Sequence, residues 1–243
     1  MIDIHCHILP GIDDGADILD DTIKMAALAK RGGCDAIVCT PHQRPDCDYE
    51  IKMLPLVTKK LQELLLRHGI GISLYAGQEI LLDDESLERL LAGEYLTING
   101  SVYPLVEFGF EEPARGPMRL LERLIGKGFI PVVAHPERYD FVAGDIRTAF
   151  AMREMGCVLQ LNKGSFRRAF GHAAYVCARR LADERLCDVV ASDAHGPYVR
   201  TPYLADIHEY ISTEWSVEYA DLLLSENPLR IISGRRVKRY GGI

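Results

Sequence analysis

The sequence predicts a parallel α/β fold, a β/α barrel of seven strands, on three observations. Short apolar runs rich in β-branched residues alternate with longer segments of helical spacing, seven such runs occur, and each ends in or beside a polar residue of the kind that holds metals or anions. A doubly wound sheet would also alternate in this way, but seven repeats favour the barrel.

The strands read as Met1 to His7, Ala36 to His42, Ile72 to Ile80, Tyr103 to Phe108, Ile130 to His135, Val158 to Asn162 and Val189 to His195. Helices fill the gaps at Asp17 to Arg31, Ile51 to His68, Asp84 to Leu91, Pro117 to Lys127, Asp145 to Met155 and Arg167 to Glu184. Gly32, Gly69, Gly93, Gly128 and Gly156 stand where helix C-caps are wanted. After Pro202 the pattern is helical only, so an all-helical segment begins at about residue 203, with Asn227-Pro228 as a helix start. No linker, low-complexity tract or internal repeat interrupts residues 1–243, which read as a single domain.

Apolar residues make up 48% of the chain and charged residues 26%, which is enough for a sizeable core. The formal charge of -7 argues against nucleic-acid binding, which needs a broad basic face. An anionic substrate therefore requires local positive charge, which metal ions can supply. The seven cysteines, at 6, 34, 39, 47, 157, 177 and 187, form no CxxC pair and suit a reducing cytoplasm. Neither a leader nor a membrane-inserting stretch is expected.

Ligand-type residues gather at the C-terminal strand ends, the edge where barrel active sites are built. They fall at His5-Cys6-His7, Thr40-Pro41-His42, Gln78-Glu79, Glu107, His135 and Asp193-Ala194-His195; the sixth strand ends in Gln160-Leu161-Asn162. Alternation turns His5 and His7 to one face, and Asp193 and His195 likewise, with Cys6 opposite as a small buried apolar residue. One H-x-H alone would be as well explained by core histidines; repetition along the strand ends decides for metal. Imidazole and carboxylate without thiolate suit Mn, Fe or Zn in open sites, and this many ligands suggest two or three ions. Asp13-Asp14-Gly15 offers a carboxylate to the same cluster, or else a helix cap. Arg138 and Arg200 stand where a guanidinium grips phosphate oxygens; Arg44 reads as a surface salt bridge. His68, His172 and His208 receive no role, and the basic run Arg230, Arg235, Arg236, Lys238 and Arg239 reads as a solvated helix end.

The tracts Met1-Ile2-Asp3-Ile4-His5-Cys6-His7-Ile8-Leu9-Pro10-Gly11-Ile12-Asp13-Asp14-Gly15, Cys39-Thr40-Pro41-His42 and Ala134-His135-Pro136-Glu137-Arg138-Tyr139 carry a resemblance. The chain resembles the polymerase and histidinol phosphatase (PHP) superfamily, and within it the bacterial protein-tyrosine phosphatases of capsule and exopolysaccharide synthesis. The resemblance implies three divalent ions, manganese first and iron or zinc as alternatives, on His5, His7, Asp14, His42, Glu79, Glu107, His135, Asp193 and His195. It also implies phosphate contacts from Arg138 and Arg200, substrate contacts from the loop at 43–48, and attack on phosphotyrosine by a metal-bound hydroxide. The implied partner is the tyrosine-rich tail of a membrane-associated autokinase; whether the chain forms a homo-oligomer stays open.

Two rival activities share these residues. A histidinol-phosphate-type small-molecule phosphatase would have the same core, and the Asp-Asp-Gly tract argues against it. A non-catalytic PHP-like binding module should show broken ligands, and none is broken here. The thiol mechanism of other tyrosine phosphatases is excluded by spacing, since no cysteine precedes an arginine by six positions.

Overall fold

The computed structural model describes residues 1–43 and 49–240; residues 44–48, with Arg44 and Cys47 among them, lie outside the described residues. Every strand pairs in parallel. β1 (Ile2–Cys6), β2 (Ala36–Cys39) and β4 (Ser73–Ala76) form a three-stranded sheet in the order β1-β2-β4. β3 (His42–Gln43), β5 (Glu79–Leu81), β6 (Leu105–Glu107), β7 (Val132–Ala134), β8 (Val158–Asn162) and β9 (Val189–Ala191) form a six-stranded sheet in that order. Beyond β9 the chain runs alongside β1: Asp193 N donates to His5 O and His7 N to Ala194 O, both at 2.9 Å. The parallel α/β architecture is the one expected. The expected barrel of seven strands is not seen as such: two of the expected strands are each split in two, and the nine resulting strands among the described residues lie in sheets of three and six rather than in one closed ring.

Both splits have a local cause. Pro41 has no N–H for the ladder, so the strand from Ala36 stops at Cys39 and resumes at His42. Alongside it, Gly77 presses so closely on β2 that a Cβ there would lie 2.9 Å from Val38 Cγ1. Gly77 N donates to Cys39 O and Glu79 N to Pro41 O, at 3.0 and 3.1 Å, so the two breaks move in step. The step transfers His42 to the edge strand of the larger sheet and Glu79 to the strand beside it.

The helices are α1 (Leu19–Arg31), α2 (Leu54–Arg67), α3 (Asp84–Leu91), α4 (Arg115–Gly126), α5 (Asp140–Gly144), α6 (Arg147–Met155) and α7 (Gly171–Asp183). All but the short α5 fall within expected segments, to a few residues. The start of α3 is fixed by a reciprocal cap between Asp83 and Ser86. At the end of α1 the left-handed residue is Gly33, φ 76°, rather than the expected Gly32. Gly32 is instead a packing glycine, whose Cβ would sit 2.8 Å from Leu204 N. The C-terminal segment is helical as expected, with α8 (Ala205–Glu214), α9 (Val217–Asp221) and α10 (Asn227–Ile232). Pro228 lies inside a continuous helical run rather than at a fresh start, and the turn before it, Leu222–Glu226, widens to a π-helix. A proline that cannot donate to the carbonyl four residues back accounts for the widening. In the basic run, Arg230 and Lys238 both pair with Glu226 at the surface.

Alternation along the strands divides the core. Val106, Val133, Leu159, Leu161 and Val190 pack against the helices with residues such as Leu61, Leu87, Leu120 and Leu181. Leu105, Val132, Val158 and Val189 face the other way and pack with Ile4, Tyr103 and Ile231. Two residues further along β6, the second face carries Glu107; along β8 it carries Gln160 and Asn162. One face thus runs from apolar to ligand-bearing along its own length.

Candidate metal centre

Glu79 is the hub. Its fully buried carboxylate lies 3.1 Å from His5 Nε2, 3.3 Å from His7 Nε2, 3.0 Å from His42 Nδ1 and 2.9 Å from His135 Nε2. No Lys or Arg among the described residues comes within ion-pair distance of it. Three overlapping groups of donor atoms, each within 4.8 Å of one another, surround this hub. His5, His7, Glu79 and Asp193 form one; His7, Asp14, His42 and His195 a second; His42, Glu79 and Glu107 a third. His135 joins through Glu79 and lies 3.8 Å from Glu107. All nine residues singled out in the sequence are therefore gathered at one place, and Cys6, with its side chain in the apolar core, stands apart.

The donor set fits metal ions. Burying a carboxylate without a partner cation is costly, and here the compensating groups are imidazoles that are also metal ligands. Glu79 Oε2, Glu107 Oε1, His42 Nδ1 and His135 Nδ1 are buried, and none makes a hydrogen bond of good geometry. Burial disfavours charge on His42, but Glu79 and Glu107 outweigh it and push its pKa up to about 9. Burial is likewise outweighed at His5, by Glu79 and Asp193, and at His7, by Asp13, Asp193 and Glu79, so both lie above the usual histidine range. The surrounding imidazoles hold Glu79 and Asp193 well below the usual carboxylate range in spite of burial. His195 is lowered, by burial and by the charge of His7.

Arg138 and Arg200 both reach this edge. Arg200 Nη2 lies 2.6 Å from Asp193 Oδ2 and Arg138 Nη1 3.7 Å from the same oxygen. Their guanidinium carbons lie 4.2 Å (Arg138) and 5.3 Å (Arg200) from the Phe170 ring centroid, so one ring packs both cations. Backbone strain concentrates here as well. His135, Asp193 and Arg200 hold left-handed φ values of 35°, 49° and 49°, a region that non-glycine residues avoid. Asp193 and His195 therefore converge through a left-handed turn rather than through strand alternation.

Comparison with known proteins agrees with this geometry. The family model described as capsular polysaccharide synthesis, CpsB/CapC, matches residues 1–233. The chain belongs to the CpsB/CapC family. It is 32% identical over 240 residues to the tyrosine-protein phosphatase YwqE of Bacillus subtilis, covering 98% of this chain and 94% of that protein. It is 31% identical over 239 residues to the tyrosine-protein phosphatase CpsB of Streptococcus pneumoniae, covering 96% and 98%. A chain from the crystal structures of those two proteins, described as unique metal-dependent tyrosine phosphatases, superposes with a TM-score of 0.92 at 32% identity, covering 98% of this chain and 97% of that one. A β-aspartyl dipeptidase from Fervidobacterium islandicum shares the fold at 14% identity, with a TM-score of 0.64 and 99% and 76% coverage.

Within this CpsB/CapC chain a ring of orienting residues supports the cluster, and sequence reading passed over most of it. Asp13 Oδ2 accepts from His7 Nδ1 at 2.7 Å and from His42 N at 2.9 Å, fixing two histidines at once. Asp14 points instead to His42 and His195, at 3.4 and 3.5 Å. Gly15 lets this turn lie on β1, since a Cβ there would fall 2.1 Å from His7 O. Gln160 Oε1 meets His5 Nδ1 at 2.8 Å, and Asn162 Nδ2 donates to Asp193 Oδ2 at 2.5 Å. Tyr139 OH donates to Ala134 O and accepts from Phe108 N, tying β6 to β7. Glu137 accepts from Asn162 N and Ser165 Oγ, tying the turn after β7 to β8.

Partners of this kind set the tautomer and aim of a ligand. Asp13→Ala is expected to weaken metal binding by about 10- to 100-fold while leaving the fold intact. Calorimetric metal titration beside a thermal melt checks both halves; unchanged affinity would return Asp13 to a turn-capping role.

Proposed function

We propose that this protein is a metal-dependent protein-tyrosine phosphatase, with divalent ions, three in number and manganese first, held by His5, His7, Asp14, His42, Glu79, Glu107, His135, Asp193 and His195. The observation that carries the metal reading is Glu79, fully buried among four imidazoles with no permanent cation beside it among the described residues. Such ions supply Lewis-acid charge to a phosphoryl group and a more acidic water. The chain's own residues do the rest. Arg138 and Arg200, converging on Asp193 and packed on Phe170, hold non-bridging phosphoryl oxygens and offset the charge that builds there. Asp13 and Gln160 keep His7 and His5 aimed inward. A phenolate, with a pKa of about 10, leaves without strong proton donation, which suits a site lacking an obvious acid.

The substrate class follows the relatives, which are named tyrosine-protein phosphatases, and the family model, which concerns capsular polysaccharide synthesis. The substrate in this reading is a phosphotyrosine-bearing tail of a tyrosine autokinase that controls such synthesis. No helix among the described residues is long and apolar enough to cross a membrane. The described cysteines are free and buried, which suits a reducing cytoplasm. The chain is read as one domain, its two sheets forming a distorted barrel: the Cys6–Ala194 bridge brings β9 to β1, and Ile231 of α10 packs in the core beside Ile4.

Turnover of a phosphotyrosine peptide is expected with manganese, lost after chelation, restored by re-addition, and reduced on the order of a hundredfold in His42→Ala. Stronger turnover of histidinol phosphate than of the peptide would move the protein to the small-molecule phosphatases. Equal peptide turnover in wild type and His42→Ala would overturn the assigned site.

A further inference from the structure

We propose that Phe110 is the wall against which the aromatic ring of the substrate lies, and so sets a preference for aryl over alkyl phosphomonoesters. The proposal rests on the phosphatase reading above and adds the direction in which the leaving group projects.

Phe110 lies three residues beyond β6, whose last residue is the site carboxylate Glu107. Although large and apolar, the residue is 41% exposed. Its buried part packs against the site itself. The ring centroid lies 5.9 Å from that of His135 and 4.3 Å from the Arg138 guanidinium carbon. The backbone is pinned, with Phe110 O accepting from Asp140 N at 2.9 Å. The ring therefore sits in a fixed place, touching one residue of the metal cluster and the arginine assigned to the phosphoryl group.

Geometry limits what can lie beside it. A phosphoryl group held between Arg138 and the cluster has its ester oxygen and first carbon atoms projecting out of the pocket. An aryl group directed toward Phe110 offers a face for the ring–ring contact that forms at centroid separations of about 4.5–7 Å, whereas a short alkyl group has little face to offer. Phe170 is the less suitable wall, because two guanidiniums pack on it where Phe110 carries one. Those contacts make Phe170 a positioning residue, and of the two rings that pack on Arg138 the more exposed is Phe110.

A plain structural role for Phe110, stiffening Arg138 by stacking, predicts a different result, so binding can separate the two. The probes are phenylphosphonate and methylphosphonate, which share an uncleavable anionic head, titrated calorimetrically into the manganese-loaded full chain. Wild type is expected to prefer the phenyl compound. Phe110→Ala is expected to weaken phenylphosphonate by roughly two- to tenfold, the worth of one aromatic contact, with methylphosphonate changed less than twofold. Phe110→Trp should keep the preference, which shows that loss of the ring rather than damage to the fold is responsible. Equal weakening of both ligands in Phe110→Ala, or no aryl preference in wild type, overturns the proposal and leaves the phosphatase reading standing. Failure of wild type to bind either phosphonate overturns that reading, and this proposal with it.

Discussion

Glu79→Gln is expected to remove phosphatase activity by on the order of a thousandfold or more and to lower the bound metal content. The substitution is nearly isosteric, so it tests charge rather than shape. Glu79 belongs to two of the three donor groups and lies within 3.3 Å of a nitrogen of His5, His7, His42 and His135. A neutral amide in that place gives up a ligand charge at the point where the groups join. It also turns an NH₂ toward imidazoles that need a carboxylate, so the remaining ligands lose their common partner. In the metal-free protein the same change withdraws the main charge that holds His5 and His42 protonated. Elemental analysis of purified protein, paired with peptide turnover, checks the expectation. A variant keeping the full metal complement and full turnover would show that Glu79 serves only the fold.

The main lines of this site were legible because they rest on strand chemistry. A residue ending an apolar β-branched run lies at a sheet edge, and several such residues of ligand type on parallel strands must share that edge. This placed His5, His7, His42, Glu79, Glu107 and His135 together before any coordinates. The break at Pro41 was also open to reading, since proline has no N–H for a ladder; the break at Gly77 was not, because it depends on the side chain of Val38 in another strand. Left-handed backbone at His135, Asp193 and Arg200 leaves no mark in a sequence when the residue is not glycine. Of the pair Asp13 and Asp14, sequence offered two equal carboxylates. Only the turn around Gly15, packed on His7, sends one behind the histidine ring and the other in front. Gln160 and Asn162 read only as the polar, uncharged end of the sixth strand, and their roles follow from partners on β1 and beyond β9. Phe110 and Phe170 gave no signal, because an aromatic residue in a loop is ordinary until its neighbours are known.

Metal affinity is expected to rise with pH, about tenfold per unit for each proton that must leave the ligands. The metal-free protein holds a proton on His42 up to about pH 9, and His5 and His7 are raised in the same direction. An imidazole binds metal only when neutral, so uptake at pH 7 must release at least the His42 proton. Glu79 and Asp193 are already ionised and His195, shifted downward, is largely neutral, so none of these adds to the count. Between pH 6.5 and 8.5 one proton gives roughly a hundredfold gain in apparent manganese affinity, and two or three give correspondingly more. The stability of the metal-free protein runs the other way. A histidine whose folded pKa is raised from the usual 6.5 to about 9 stabilises fully below 6.5, and that contribution fades as the pH climbs through 9. The melting temperature without metal should therefore fall over the range in which added manganese raises it most. Calorimetry in buffers of different ionisation enthalpy counts the released protons directly. A count of zero at pH 7, with affinity flat from 6.5 to 8.5, would remove His42 from the ligand set.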